Sequence, residues 1–472
     1  MKCSFVPGMR VVGFCGVSLM VAGAANALEV ADFAGNWSLV EMNTPKVFHE
    51  TYYNVVSQTY RSGENGSSDY AHENEILVGA EYPVPVDARS EGLTFSASGE
   101  LNDGTGGRIV SVNGGRLLYR EDGEVESLYV NTTGDVILAG GSDEEEQYLG
   151  VALKHPDSLA LADLAGDWRL AMISLPEDIS TNSVYGRLVD TWFSDDGYVE
   201  TGGLSVSAGG AVSGDVSGSL AVSGPGAVTM TVDGNALTFR VNASKDVMAA
   251  AADDDDVQEL ILLVKKPDAL AVADLEGTWR VMSLVVPSEL IEVFYNAETG
   301  ALRQAANDGV AGTNESLVDL YHEDEFMLWR DNVAMSGTGS FTAVDGSGSF
   351  SVSSGRTVTI NDGEDTMLAA INASKTVMVM AVEDESTREL TVLVKTSEAV
   401  AEGDEVFDLS VQSGEDGSLV LMWNGGSGVE LEETSDLGGV WSAVADTDGK
   451  NVLEVQPEGG AKFFRVKATS GD

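Results

Sequence analysis

Between residues 204 and 241 apolar and polar side chains alternate, in Leu204-Ser-Val-Ser, Val228-Thr-Met-Thr-Val232 and Leu237-Thr-Phe-Arg-Val241. A period of two is that of a strand with one buried face. Gly209-Gly210, Gly224-Pro225-Gly226 and Asp233-Gly234 interrupt the pattern, and the last of these predicts a type I′ hairpin turn. The spacing therefore predicts a meander of short strands, each of about five to seven residues.

The pattern occurs three times. Asp32-Phe-Ala-Gly-Asn-Trp37 recurs as Asp163-Leu-Ala-Gly-Asp-Trp168 and as Asp274-Leu-Glu-Gly-Thr-Trp279. Each copy continues through an Asp-Gly pair (Asp122-Gly123, Asp233-Gly234, Asp362-Gly363) to an Asn in a matching context (Asn131, Asn242, Asn372). Each closes on an apolar run ending in Lys154, Lys265 or Lys395. From Trp to Lys the copies span 117, 97 and 116 residues, and most of the difference lies just after the Trp strand. Insertions collect in loops, so this first connection is the place to look for specificity.

Seven or eight strands in one such unit hide their edges best by closing into an up-and-down barrel. The fold class expected is all-β: three repeated antiparallel barrel-like units, at 28–157, 158–268 and 269–396, after a leader at 1–27. A small, acidic linker at 397–405 precedes a different pattern at 406–472. There, six candidate strands (407–411, 419–423, 429–433, 441–444, 452–455 and 463–467) predict a small β-sandwich.

A Gly-x-Trp strand opening an antiparallel barrel resembles the lipocalin-like (calycin) pattern, with Gly35, Gly166 and Gly277 matching its Gly and Trp37, Trp168 and Trp279 its Trp. The resemblance implies that each Trp closes one end of a barrel whose cavity holds a small apolar ligand. On that ground the three Trp residues are candidate ligand contacts at the barrel end. The family's Arg that caps the Trp is not placed in this sequence. The C-terminal stretch through Trp423, Trp441 and Phe463-Phe-Arg-Val is similar to fibronectin-III-like modules of bacterial secreted proteins, which implies an accessory module with both Trp residues in its core.

Composition narrows the partners. The chain of 472 residues carries 26 Lys+Arg against 76 Asp+Glu, a formal charge of −50. Nucleic acid and anionic membrane surfaces need clustered cations, so neither is an expected partner. A surface this acidic also fits a saline habitat. Lys2 and Arg10, the apolar run from Val11 to Ala25 and the small-x-small site Ala25-Asn26-Ala27 read as a secretory signal peptide cleaved near Ala27. Both cysteines, Cys3 and Cys15, lie inside it, leaving none for disulfides or thiolate metal sites in the mature chain. No later run reaches membrane-spanning length. The product is expected outside the cytoplasm: extracellular, at the cell surface or periplasmic.

Candidate chemistry is sparse. Acidic runs precede each closing strand: Asp143, Glu144 and Glu145; Asp253, Asp254 and Asp255; Glu383, Asp384 and Glu385. Adjacent carboxylates on a hairpin could supply part of a calcium shell, although none has the alternating Asp-x-Asp-x-Asp-Gly spacing. Otherwise they are solubilising tips, and no cofactor is required. Tyr70-Ala-His72-Glu73-Asn-Glu75 aligns loosely with Tyr321-His322-Glu323-Asp324-Glu325, yet neither forms His-Glu-x-x-His. Gly-x-Ser-x-Gly and a phosphate-binding loop are absent, so an enzyme is not expected. Two functions remain. One is a secreted binding protein holding a small apolar molecule, a glycan or a protein partner by barrel ends and loops. The other is a structural or adhesive envelope protein whose acidic tips bind cations. Cavities above about 300 Å³ inside the barrels favour the first.

Overall fold

The repeated Asp-x-x-Gly-x-Trp motif is a device for entering a barrel. The computed structural model describes residues 28–397 apart from short stretches at 47–48, 65–70, 72–73, 103–104, 122–123, 143–144, 178, 185–186, 194–196, 255–256, 307–310, 323–325, 344–345, 364–365 and 385. Beyond them it describes 410–413, 419–422, 429–434, 442–444, 447, 452–455 and 463–468. Residues 1–27, read from the sequence as a signal peptide, and Trp423 and Trp441 lie outside these residues.

A single 3-10 turn opens each unit, at Val30–Phe33, Leu161–Leu164 and Val272–Leu275. The motif's Asp caps it: the carboxylates of Asp32, Asp163 and Asp274 accept from the backbone N–H of Glu29, Ala160 and Ala271 at 2.8, 2.9 and 2.8 Å. The motif's Gly then turns the chain into the first strand at φ +122°, +137° and +135°, a region that a Cβ disfavours. The strands Gly35–Pro45, Gly166–Pro176 and Gly277–Pro287 follow, each ending at a proline.

The second and third units are closed antiparallel barrels of eight strands, as the sequence predicts. In the first, a seven-stranded sheet is carried round by two isolated bridges, Phe95 to Leu101 and Glu100 to Arg108, where the other units have their third barrel strand. Asp233 and Gly234 adopt φ of 50° and 95° between paired Val232 and Asn235, the left-handed pair that a type I′ turn requires. The C-terminal region contains two three-stranded sheets at Ser410–Ser413, Leu419–Met422 and Val452–Val455, and at Val429–Thr434, Ser442–Ala443 and Phe463–Ala468.

The variable connection is a domain element of its own. In the first unit it folds into a three-stranded side sheet (His49–Asn54, Thr59–Glu64, Glu75–Glu81), and in the third into another (Leu290–Asn296, Leu302–Ala306, Glu315–His322). In the second it is a two-stranded ribbon, Ile179–Val184 with Arg187–Phe193. The first and third side sheets pack together through Tyr52, Leu77, Leu290, Phe294, Leu317 and Leu320.

The first and closing strands of each unit are buried on both faces. Trp168 and Met172 face the barrel interior, while Ala171, Ile173 and Leu175 join Val40 and Met42 of the first unit and Met282 and Leu284 of the third in one shared core. This core between the barrels holds the three units against one another.

Candidate functional site

Each barrel has a closed end and an open end. Trp37, Trp168 and Trp279 are at most 1% exposed, and their indole N–H groups donate to the carbonyls of Phe33, Leu164 and Leu275 at 2.8, 2.8 and 2.9 Å. Each Trp sits directly across the ladder from the closing lysine, Lys154, Lys265 or Lys395. That lysine donates to the carbonyl of the motif's Asp, at 2.9 Å for Lys265 and 3.0 Å for Lys395, with Lys154 doing the same to Asp32. Lys154 and Lys395 also lie over the Trp37 and Trp279 rings at 5.9 and 5.8 Å. A lysine thus caps the Trp end of each barrel. The sequence showed the three terminal lysines without their role, because only the strand register brings them onto the Trp.

The acidic runs are at the other end. In the register, Pro45 pairs with Glu146, Pro176 with Val257 and Pro287 with Thr387, so these hairpin tips and the side sheets share the open ends of the barrels. Glu145, Asp253, Glu383 and Asp384 are exposed; Asp143, Glu144, Asp255, Glu385 and the side chain of Asp254 lie outside the described residues. Glu383 accepts from Arg388 at 3.0 Å, and Asp384 takes the backbone N–H groups of Ser386 and Thr387 at 2.9 and 2.6 Å. Among the described residues no group of three or more His, Cys, Asp or Glu is placed to hold a metal ion.

The histidine alignment is corrected by the register. Tyr52 pairs with Arg61 and Asn54 with Glu75, just as Phe294 pairs with Arg303 and Asn296 with Glu315. Arg61 to Glu75 (2.9 Å) and Arg303 to Glu315 (2.8 Å) are therefore the same ion pair. Glu75 corresponds to Glu315, and counting on along the strand sets Tyr82 opposite His322 as its equivalent. Unequal insertions hid this from the sequence. The Tyr82 and His322 rings stack at 6.3 Å with 7° between planes, and Phe326 meets His322 edge-on. Burial drops the His322 pKa to about 4. His72 lies outside the described residues.

Cavities open within the third and the first barrels. The third encloses a cavity of about 610 Å³ between Val281, Trp329, Val333, Met335, Ile360 and Met380, with Asp331 and Glu389 among the few polar groups. The first encloses about 740 Å³, and its lining is of a different kind. Glu41, only 5% exposed, accepts from Arg89 Nε at 2.6 Å, and burial raises its carboxyl pKa in spite of that partner. Glu126, whose pKa is likewise raised by burial, accepts from the Tyr148 hydroxyl, and Glu121 from the Tyr119 hydroxyl at 3.2 Å. Burial and Glu126 push the Tyr148 phenol upward, so it stays a donor. In the second barrel Met172, Leu220, Met230 and Phe239 form a buried apolar cluster.

No helix among the described residues is long and apolar enough to cross a membrane. No protein-family model matches the chain. No curated protein matches it either. Solved structures similar to it include a mutant transferrin binding protein B from Haemophilus parasuis, at 8% identity with a TM-score of 0.20 over 76% of each chain. Another is the isotype 1 transferrin binding protein B of serogroup B Neisseria meningitidis, at 10% identity and TM-score 0.16 over 75% of this chain and 64% of that one. The functional reading rests on the barrels themselves.

Proposed function

We propose that this chain is a secreted binding protein, not an enzyme, and that its third barrel holds a small apolar molecule. The observation that carries the reading is the 610 Å³ cavity lined by Val281, Trp329, Val333, Met335, Ile360 and Met380. Its size falls within the range of about 300 to 1,000 Å³ typical of small-molecule sites, and apolar walls with a few polar groups are the usual design of such sites. A barrel built only as a spacer would gain stability by filling that space. The closed end, plugged by Trp279 and Lys395, leaves the opposite end for entry. The leader at 1–27 supplies the export route in this reading, and the purified extracytoplasmic product then begins at Leu28.

The test is titration with the neutral fluorophore N-phenyl-1-naphthylamine. Saturable enhancement at one site per chain, with quenching of Trp329, is expected. A cavity-filling Val333→Trp variant with an unchanged melting profile should lose it. If that variant binds the fluorophore as well as the parent does, the cavity is not the site.

A further inference from the structure

Three copies of one barrel within one chain allow a comparison that a single barrel would not. Strand register aligns their interior positions. Glu41 of the first barrel stands where the second has Met172 and the third Ser283, since all three lie four residues beyond the plugging Trp. Glu126, paired with Tyr119, corresponds to Leu237 paired with Met230 and to Met367 paired with Ile360. Glu91, opposite Leu39, corresponds to Gly202 and to Asp331.

The fold therefore closes with methionine and leucine at the places where the first barrel carries Glu41 and Glu126. Burying a carboxylate costs free energy that an apolar residue does not, and burial raises the pKa of both acids. These carboxylates are not required by the architecture. They also do not fill the space, because a 740 Å³ cavity remains between them. Two phenols are built into the same wall at positions relieved by glycines: a Cβ at Gly107 would lie 2.0 Å from the Tyr119 hydroxyl, and one at Gly141 2.3 Å from Tyr148 Cε1. Phenol faces and carboxylates together are the surroundings that cations favour.

Charge is arranged in two tiers. Glu41, which is buried, and the half-buried Glu126 are the inner carboxylates, while the exposed Glu91, the half-buried Asp87 and Glu146 and, from the second unit, Glu177 and the exposed Asp253 complete the acidic lining. Among the described residues Arg89 is the single base in the lining, already paired with Glu41, and Arg330 of the third unit lowers the Glu126 pKa from nearby against the larger effect of burial. A lone metal ion would need its oxygens within about 2.6 Å of one point, and among the described residues no such group occurs. Carboxylates distributed along a cavity match a cation whose charges are themselves distributed.

We propose that the first barrel is a binding site for a linear organic polycation of the polyamine class, one amine meeting the inner carboxylates and another those of the mouth. Spermine serves as the probe. Calorimetric titration of the purified protein in 0.15 M NaCl, where loose association with an acidic surface is screened, is expected to show one saturable site per chain. Glu41→Met combined with Glu126→Leu reproduces the residues on which the second barrel folds, and should weaken that site by about tenfold or more. Asp253→Asn, an exposed change at the mouth that does not threaten folding, should weaken it by a smaller factor. Glu298→Gln, on the exposed turn of the third side sheet, should leave it unchanged. Non-saturable uptake of spermine by the parent, or equal affinity in the Glu41→Met/Glu126→Leu and Asp253→Asn variants, overturns the proposal. Val333→Trp in the third barrel separates this site from the apolar one, since it should abolish fluorophore binding and spare spermine.

Discussion

The carboxylate of Asp135, in the first unit, accepts a hydrogen bond from Asn242 Nδ2 in the second at 2.9 Å. It also accepts from the backbone N–H of Ser244 at 2.8 Å. One unit on, Asp246 takes the N–H of Ser374 in the third at 2.8 Å, and the circle closes where Asn131 donates to Thr376 at 3.1 Å. Within each unit the Asn folds its own turn, accepting the N–H groups four and five residues ahead, as Asn242 does from Asp246 and Val247 at 2.9 and 2.8 Å. Asn131 and Asn242 therefore have two tasks, shaping a hairpin and joining neighbouring barrels, while Asn372 shapes its own turn and Ser374 makes the link to Asp246. Threonine in the third place keeps a further carboxylate out of a buried ring.

That ring predicts a cooperative loss. Asp135→Ala removes the acceptor of the part-buried Ser244 N–H and one of the two carboxylate acceptors of the buried Asn242 amide, and each hydrogen bond to a charged group is worth about 1.5 to 3 kcal/mol. A fall in unfolding free energy of about 2 to 4 kcal/mol is expected. Chemical denaturation would measure it. A variant within about 0.5 kcal/mol of the parent would mean that the ring does not couple the barrels.

The Trp plug makes a second prediction. Trp168→Phe keeps an aromatic ring but removes the N–H that satisfies the Leu164 carbonyl, at a cost of about 1 to 3 kcal/mol. Lys265→Met, which retains the aliphatic stem beside Gly166, should cost less, because the lysine head is partly solvated. Thermal unfolding of the two variants side by side would rank them, and the reverse order would place the stabilisation in the lysine.

Much of the architecture is legible in the sequence because it is local. The six C-terminal strands, the Asp233-Gly234 turn and the three Trp strands all follow from alternation and turn residues within a few positions. The union of the barrels is not local. Leu260-Ile-Leu-Leu-Val264 is apolar without alternation, the mark of a strand buried on both faces, but nothing in the run says that its second face meets two sister barrels. The cavities are further removed still. Glu41, Met172 and Ser283 become comparable only once counted from Trp37, Trp168 and Trp279, and their difference puts a carboxylate in the wall of one barrel where the others have a thioether and a hydroxyl. A loosely matching run of residues sets His322 beside His72 in the sequence, while strand pairing sets it at the place of Tyr82.

Two glycines of the first barrel should respond oppositely to the same change. Gly141→Ala places a Cβ 2.3 Å from the Tyr148 ring, which its hydroxyl ties to Glu126, so the ring cannot swing aside without breaking that bond. Gly92→Ala meets nothing within 4 Å. Overpacking is expected to cost the first about 1 to 3 kcal/mol, and the second should be neutral or gain up to about 1 kcal/mol from reduced freedom of the unfolded chain. Equal melting temperatures would show that Tyr148 is not held as described.

The contact between the side sheets should be sensitive to pH in a direction that the buried groups fix. Glu50 Oε1 accepts from the Leu320 N–H at 3.0 Å and Glu50 Oε2 from Tyr52 at 2.8 Å. Burial, with Asp319 nearby, raises the Glu50 pKa to about 8, and burial raises that of Asp319 to about 6. A carboxyl whose folded pKa lies above its unfolded value holds its proton longer when folded, so stability falls as pH rises from the unfolded value through the folded one. His322 acts in the other sense. Its folded pKa of about 4 lies below its ordinary 6.5, so it contributes stability above pH 6.5 that is lost as pH falls toward 4. The slopes of the acids and of His322 oppose each other between about pH 4.5 and 6.5; from 6.5 to 8 Glu50 acts alone, Asp319 having titrated near 6, and the contact weakens. Hydrogen exchange of the amides in 49–54 and 315–322 is expected to quicken across that upper window beyond its intrinsic pH dependence, and Glu50→Gln to remove most of the excess. Protection that stays constant between pH 6.5 and 8 in the parent would mean that Glu50 is already ionised in the folded protein.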